Sequence, residues 1–282
     1  MPAKRLLLTL FVVAACAAAA AAQQEPSFAA ASIKANPSGL HPTGLPGGTT
    51  DVRPGGRLSA LNVPALELIA MAWNIESYRV TGGPDWLRST RFNVEASAGA
   101  DVARERVNLM LRTLLVERLR LRARLVPREM PTYALMLGRT DGRLGPGLRP
   151  ASPSACVNRA PGRVPPGELP TCGQLRSGPD RMSGRSVPME EMRGRLSAIS
   201  QRVVIDRTGL AGTYDIDLEW APGEAALAAV AALTPGAPPA PVDPNRAPLE
   251  TAVAEQLGLR LQSTRGLVDV LSIESAELPT GN

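Results

Sequence analysis

Arg57-Leu58-Ser59-Ala60-Leu61-Asn62-Val63-Pro64 and Arg181-Met182-Ser183-Gly184-Arg185-Ser186-Val187-Pro188 are the stretches on which the reading of this chain turns. They stand 124 residues apart, and each leads into a helical stretch, through Ile75 in the first case and Ile199 in the second. Val63-Pro64 and Val187-Pro188 place proline in a first helical turn, where its missing N–H costs nothing. Further on, Leu111, Thr113, Glu117, Leu119 and Leu121 reappear as Leu249, Thr251, Glu255, Leu257 and Leu259, now 138 residues on. That spacing also aligns Tyr133 with Leu271 and Leu135 with Ile273. The 14 extra residues fall in the Ala/Pro-rich segment 221–247. The pattern predicts an internal duplication.

The elements follow from spacing. Leu66, Ile69, Ala70 and Trp73 share one helix face. A short strand Tyr78–Thr81, the turn Gly82-Gly83-Pro84-Asp85 and a strand Arg91–Glu95 come next. Tyr214–Trp220 is the counterpart of that last strand. There the even positions are apolar and the odd ones are Asp215, Asp217 and Glu219, as in a half-buried strand. A helix Val102–Glu117, a strand Leu119–Val126, a turn at Pro127–Pro131 and a strand Thr132–Leu137 complete the first copy. In the second, the helix Pro248–Gln256 stops at Gly258, and 259–262 and 267–273 are strands. The expected fold class is α+β: two duplicated units, each strand–helix–strand–strand–helix–strand–strand, with helices covering a small sheet. The expected organisation is an N-terminal strand and extended arm at 23–55, units at 56–139 and 181–277, and a loop-rich insert at 140–180. Within it, Phe28–Lys34 reads as an edge strand and Ala225–Leu233 as a short helix.

The 282 residues carry a formal net charge of +5, 44% apolar residues, three cysteines and a single histidine, His41. One histidine leaves no HExxH zinc site, three cysteines cannot make a four-thiolate site, and no phosphate-binding GxxxxGK[ST] loop occurs. No cofactor is expected. Residues 1–22 read as a signal peptide: Lys4 and Arg5, an apolar run from Leu6 to Ala15, and Ala20-Ala21-Ala22 before Gln23. A transmembrane anchor is the alternative, and Val13-Ala14-Ala15-Cys16 also resembles a lipobox, with Cys16 carrying the lipid. Either export route predicts a periplasmic or extracellular protein, attached to the membrane only through that leader or a lipid on Cys16. The mature chain keeps 29 basic against 26 acidic residues, too small an excess to indicate nucleic acid. Its only cysteines, Cys156 and Cys172, lie in the Pro/Gly-rich insert and predict a disulfide in an oxidising compartment.

Candidate chemistry is sparse. His41 sits in a flexible arm, where nothing would hold its tautomer. Asp206-Arg207-Thr208-Gly209 is similar to an aspartic-protease loop, but Arg207 interrupts it, and a turn with Gly209 at positive φ is the better account. Asp215, Asp217 and Glu219 read as a solvated strand face, and as calcium ligands only with help from a loop. Trp73 and Trp220 read as core and Trp86 as partly exposed. Arg118, Arg120, Arg122 and Arg124 alternate with Leu119, Leu121, Ala123 and Leu125. On a strand they would form a row able to grip phosphates or an acidic partner, or a solvated face that deters aggregation.

Ser32-Ile33-Lys34, Gly56-Arg57-Leu58, Gly82-Gly83-Pro84-Asp85-Trp86-Leu87, Asp206-x-Thr208-Gly209-Leu210-x-Gly212-x-Tyr214-Asp215 and Glu255-Gln256-Leu257-Gly258-Leu259 together resemble the Soli family. This is a large paralogous group of secreted acidobacterial proteins defined by a domain of unknown function. The resemblance implies secretion, and in some relatives fusion to membrane-anchored sensor metallopeptidases; it implies no catalytic residue. Pro248-Leu249-x-x-Ala252-x-x-x-Gln256-Leu257-Gly258-Leu259 is similar to the short N-terminal domains of secretins and TonB-dependent receptors, which dock envelope partners. The expected function is a non-enzymatic binding or scaffolding module of the cell envelope, with an envelope or extracellular partner. The alternatives are a hydrolase using Asp85, Glu95, Asp206 and Asp215 around a cleft between the units, and a free sensory ectodomain.

Overall fold

The computed structural model describes residues 25–43, 47–152, 154–158, 168–233, 243 and 245–279. The expected leader, with Cys16, lies outside the described residues. The chain divides into two compact units: the residues up to Arg124 together with those from Ser272 on, and Leu125–Leu271.

The first unit contains β1 (Ala30–Ala35), β2 (Thr49–Arg53), β3 (Arg57–Pro64), α1 (Ala65–Ala72), β4 (Val80–Gly82), α2 (Trp86–Ser89), β5 (Arg91–Ser97) and α3 (Arg104–Arg118). A long strand, β6 (Arg122–Leu137), begins there and continues into the second unit. The second unit adds β7 (Leu148–Pro150), β8 (Leu175–Ser177), β9 (Arg181–Pro188), α4 (Met189–Ser200), β10 (Val203–Asp206), β11 (Thr213–Glu219) and α5 (Glu224–Leu233). After α6 (Leu249–Ala252), which runs into a π-turn at Val253–Leu257, β12 (Leu259–Ser275) returns to the first unit.

The described residues are therefore mostly β, in three four-stranded sheets with few and mostly short helices. This corrects the expected α+β class of duplicated units whose helices cover small sheets. The largest departure is β6, which runs without a break through the turn expected at Pro127–Pro131. Proline is excluded from a strand only where the ladder needs its N–H. The Leu135 carbonyl accepts the Arg207 N–H on the β10 side of β6. Pro131 and Pro127 lie four and eight residues earlier, so their nitrogens face that same side. There β10 pairs only from Thr132 onward, and both prolines sit where no partner strand among the described residues asks for a proton.

In the first unit the sheet order is β1-β5-β3-β2, all antiparallel, with the strand expected near Phe28–Lys34 on one edge. The arm expected between 35 and 55 supplies the other edge as β2. Phe92, Val94 and Ala96 of β5, Leu58 and Ala60 of β3 and Ile33 of β1 are buried, while Glu95, between Val94 and Ala96, is exposed. Leu68 and Ile69 of α1 and Leu111 and Leu115 of α3 are buried as well. At the other end of the unit the Gly83 N–H donates to the Ile273 carbonyl of β12 (3.1 Å). Gly82 takes φ +76°, and a Cβ there would stand 2.5 Å from that carbonyl.

In the second unit one sheet has the order β7-β11-β9-β8, and β6, β10 and β12 belong to another. Trp220, Ile216, Leu218, Met182 and Val187 pack with Met192 and Leu196 of α4 and with Leu135, Leu257 and Leu259 in one core. Gly258 ends the π-turn in the left-handed region (φ +69°), the expected stop signal.

Both Val-Pro helix entries use the same backbone device, which periodicity does not reveal. Asn62 (φ +56°) and Ser186 (φ +54°) are left-handed residues at a register shift in β3 and β9. Each N–H is taken by a side chain of the neighbouring strand, Asn93 Oδ1 at 2.8 Å and Asp215 Oδ1 at 3.0 Å. The bulge turns the strand into its helix, and the accepting side chain satisfies the N–H that the ladder drops.

In the loop after β6, Arg139 donates Nε and Nη2 to the two Asp141 oxygens at 3.0 and 2.8 Å, and the Arg143 N–H donates to the same carboxylate. The Arg139 fork, with the Arg143 amide second, lowers the Asp141 pKa to about 2. A carboxyl NMR titration is expected to find Asp141 still ionised at pH 3. Arg139→Gln is expected to move its midpoint upward, and an unmoved midpoint would disprove the fork as cause.

Candidate binding site

The outer face of the β7-β11-β9-β8 sheet is where the predicted carboxylate strand meets a row of arginines. Strand alternation sends Met182 of β9 and Ile216 and Leu218 of β11 into the core, so Arg181, Ser183 and Arg185 face outward beside Asp217 and Glu219. The register sets Asp217 opposite Ser183 and Glu219 opposite Arg181 on β11, and Arg176 opposite Ser183 on β8. Ser183 is thus the centre of a cross: Arg181 and Arg185 along its own strand, Arg176 and Asp217 to either side.

The charges on this face are unequally committed. Arg185 Nη1 and Arg149 Nη2 both approach Asp217 Oδ2, at 3.0 and 3.4 Å. Arg185 Nη1 also donates to the Gly184 and Ile216 carbonyls, which fixes its orientation. Glu219 is shared between Arg246 (3.4 Å) and a more distant Arg181 (3.9 Å). Asp215 is buried and spends an oxygen on the Ser186 N–H, so only Asp217 and Glu219 form the solvated acidic face expected of all three. Among the described residues Arg176 is exposed and meets no acidic partner.

A loop closes over this cross. Cys156 and Cys172 form the expected disulfide, with Cα atoms 5.1 Å apart. The Val157 N–H donates to the Pro170 carbonyl and the Cys172 N–H to Val157, both at 3.0 Å, while Gly173 donates to the Arg185 carbonyl at 2.8 Å. The bridged loop is thereby pinned to β9. Gly184 lets it come this close, since a Cβ there would stand 2.9 Å from the Gln174 carbonyl. Between loop and strands lies a cavity of about 580 Å³, lined among others by Glu168, Thr171 and Gln174 on the loop and by Arg176, Arg181, Ser183 and Arg185 on the strands. Thr171 Oγ1 and Gln174 Oε1 are enclosed without a hydrogen-bond partner among the described residues. Unpaired enclosed polar groups are rare, and each calls for an explanation such as a water or ligand that completes it.

The arginine row foreseen at 118–124 is dispersed. Arg118 closes α3, Leu119 caps that helix, and Arg120 is left-handed (φ +45°). Only Arg122 and Arg124 lie on β6. Arg120 and Arg124 form exposed ion pairs with Glu277 (3.3 Å) and Glu274 (2.8 Å). His41 holds Thr43 and Thr49 through their hydroxyls, at 2.9 and 3.1 Å. The Asp206 carboxylate accepts the Thr208 N–H and hydroxyl at 2.8 and 2.7 Å, and Gly209 has φ +69°, which is the expected turn. Glu95 accepts the Ser59 hydroxyl at 2.7 Å, and Asp85 is exposed at the start of α2. Trp220 is buried, Trp86 meets Phe92 edge-on at 6.3 Å, and Trp73 is partly buried beneath the Arg112 guanidinium at 4.6 Å. No three His, Cys, Asp or Glu residues among those described are grouped to hold a metal. The Arg181-x-Ser183-x-Arg185 alternation carried the signal for the cavity, but only pairing with the acidic strand gives it meaning.

These features define a β-rich, disulfide-bearing protein, and the bridge indicates a non-cytoplasmic compartment. No helix among the described residues is long and apolar enough to cross a membrane. The chain belongs to the family described as "Protein of unknown function (DUF3738)", which matches residues 66–276. No curated protein and no solved structure matches it significantly.

Proposed function

We propose that this is an exported protein of the Soli type that binds a small ligand in the cell envelope, or outside the cell, without converting it. The observation that carries the reading is the cavity of about 580 Å³ under the disulfide loop, a size suited to a small molecule. Glu95, Asp206 and Asp215 are engaged in holding a hydroxyl, a turn and a bulge, which favours binding over acid–base chemistry. The leader at 1–22 and the disulfide support export.

Two measurements test this. Residues 1–24 fused to a reporter active only outside the cytoplasm are expected to switch it on. Cys16→Ala then distinguishes a lipid-anchored product from a freely secreted one. Purified mature protein incubated with envelope extract is expected to retain a small molecule, recovered chemically unchanged. A reporter kept in the cytoplasm overturns the export; catalytic turnover of the retained molecule, or an empty protein after exposure to extract, overturns the binding.

A further inference from the structure

We infer that the cavity centred on Ser183 takes a small, hydroxyl-bearing organic anion, such as an acidic sugar or sugar phosphate; this rests on the binding reading above. The head group is set by charge. Arg176 projects from β8 directly opposite Ser183, its guanidinium without an acidic partner among the described residues. Arg181, two residues from Ser183 on the same face, is held only at 3.9 Å by a carboxylate that Arg246 holds more closely. Two guanidinium forks with spare donors, beside a serine hydroxyl, match the oxygens of a carboxylate or phosphate.

The body of the ligand is set by the rest of the lining. Arg149 and Arg185 both address Asp217 Oδ2, leaving Oδ1 without a partner among the described residues and able to accept a hydroxyl proton. The enclosed Thr171 hydroxyl and Gln174 amide oxygen, with Glu168, place polar groups on the facing wall beside the apolar Leu169 and Pro170. No aromatic ring among the described residues lines the cavity, so a stacked heterocycle lacks its platform there, whereas a polyhydroxylated body finds donors and acceptors on both walls. The volume of about 580 Å³ admits one or two sugar rings.

Calorimetry of the disulfide-intact protein with glucuronate, glucose 6-phosphate and glucose tests the assignment. Binding of either anion, with glucose at least about ten-fold weaker, is the expected result, and the stronger anion identifies the head group. Arg176→Gln is expected to weaken the anion by about ten-fold or more, as for loss of a charge-assisted bond. Arg176→Lys is expected to restore part of it. Arg124→Gln, outside the cavity, is expected to change nothing. Equal binding of glucose and the anions, or anion binding indifferent to Arg176→Gln in a variant that melts like the parent, overturns the inference. So does failure of both anions to bind. The broader binding reading survives each of these if the protein still retains a molecule from envelope extract, and falls if it retains none.

Discussion

Trp220→Ala is expected to destabilise the unit Leu125–Leu271 by about 3–5 kcal/mol, the usual cost of emptying a large aromatic site in a core. Trp220 is 2% exposed, continues the apolar face of β11, and shares its core with Met182, Leu218 and Leu257. Neighbours on sheet, helix and π-turn are each anchored in their own backbone hydrogen bonds, so the site cannot easily collapse around the void. Trp73→Ala is the internal comparison. That ring is only partly buried, under Arg112, and its loss, which includes a cation–π contact of about 0.5–1 kcal/mol, is expected to cost less than that of Trp220. Urea unfolding followed by circular dichroism should separate the two variants clearly. Equal midpoints for both would mean that Trp220 is not the keystone described above.

The second large effect concerns the bridge. Replacing Cys156 and Cys172 together by serine is expected to cost about 3 kcal/mol on the chain-entropy argument for a loop of this length, the two cysteines being 16 positions apart. The anion affinity is expected to fall as well, because Thr171 and Gln174 keep their place through the Cys172–Arg185 bridge and the Gly173 hydrogen bond to β9. Reducing the parent protein should reproduce both losses, and reoxidation should restore them. A double variant that melts with the parent and binds with parental affinity would show that the backbone bonds alone hold the loop.

Strands with one buried face were legible in the sequence because alternation is a local signal. Tyr214–Trp220, Arg91–Glu95 and Phe28–Lys34 each lie within a residue or two of an observed strand. Helices with capping punctuation were legible too, as at Gly258 and at the two Val-Pro entries. What failed was the inference from proline to turn at Pro127–Pro131, because whether a strand tolerates proline depends on a neighbour more than 70 residues away in β10. That error broke one long strand into two and understated the β content of the chain. The arginine row failed for a related reason. Alternation at Arg118–Arg124 is interrupted by the end of α3 and by the left-handed Arg120. The cavity lining was the least legible part, since Ser183 acquires Arg176 and Asp217 as neighbours only through register.

The hydrogen bond from Gly83 to Ile273 sets an order of events during synthesis. Its two ends leave the ribosome about 190 residues apart. Everything in Leu125–Leu271 has been translated before the acceptor for Gly83 exists. The amino-terminal unit therefore waits, with the Gly82-Gly83 edge unpaired, until the carboxyl-terminal strand arrives to seal it.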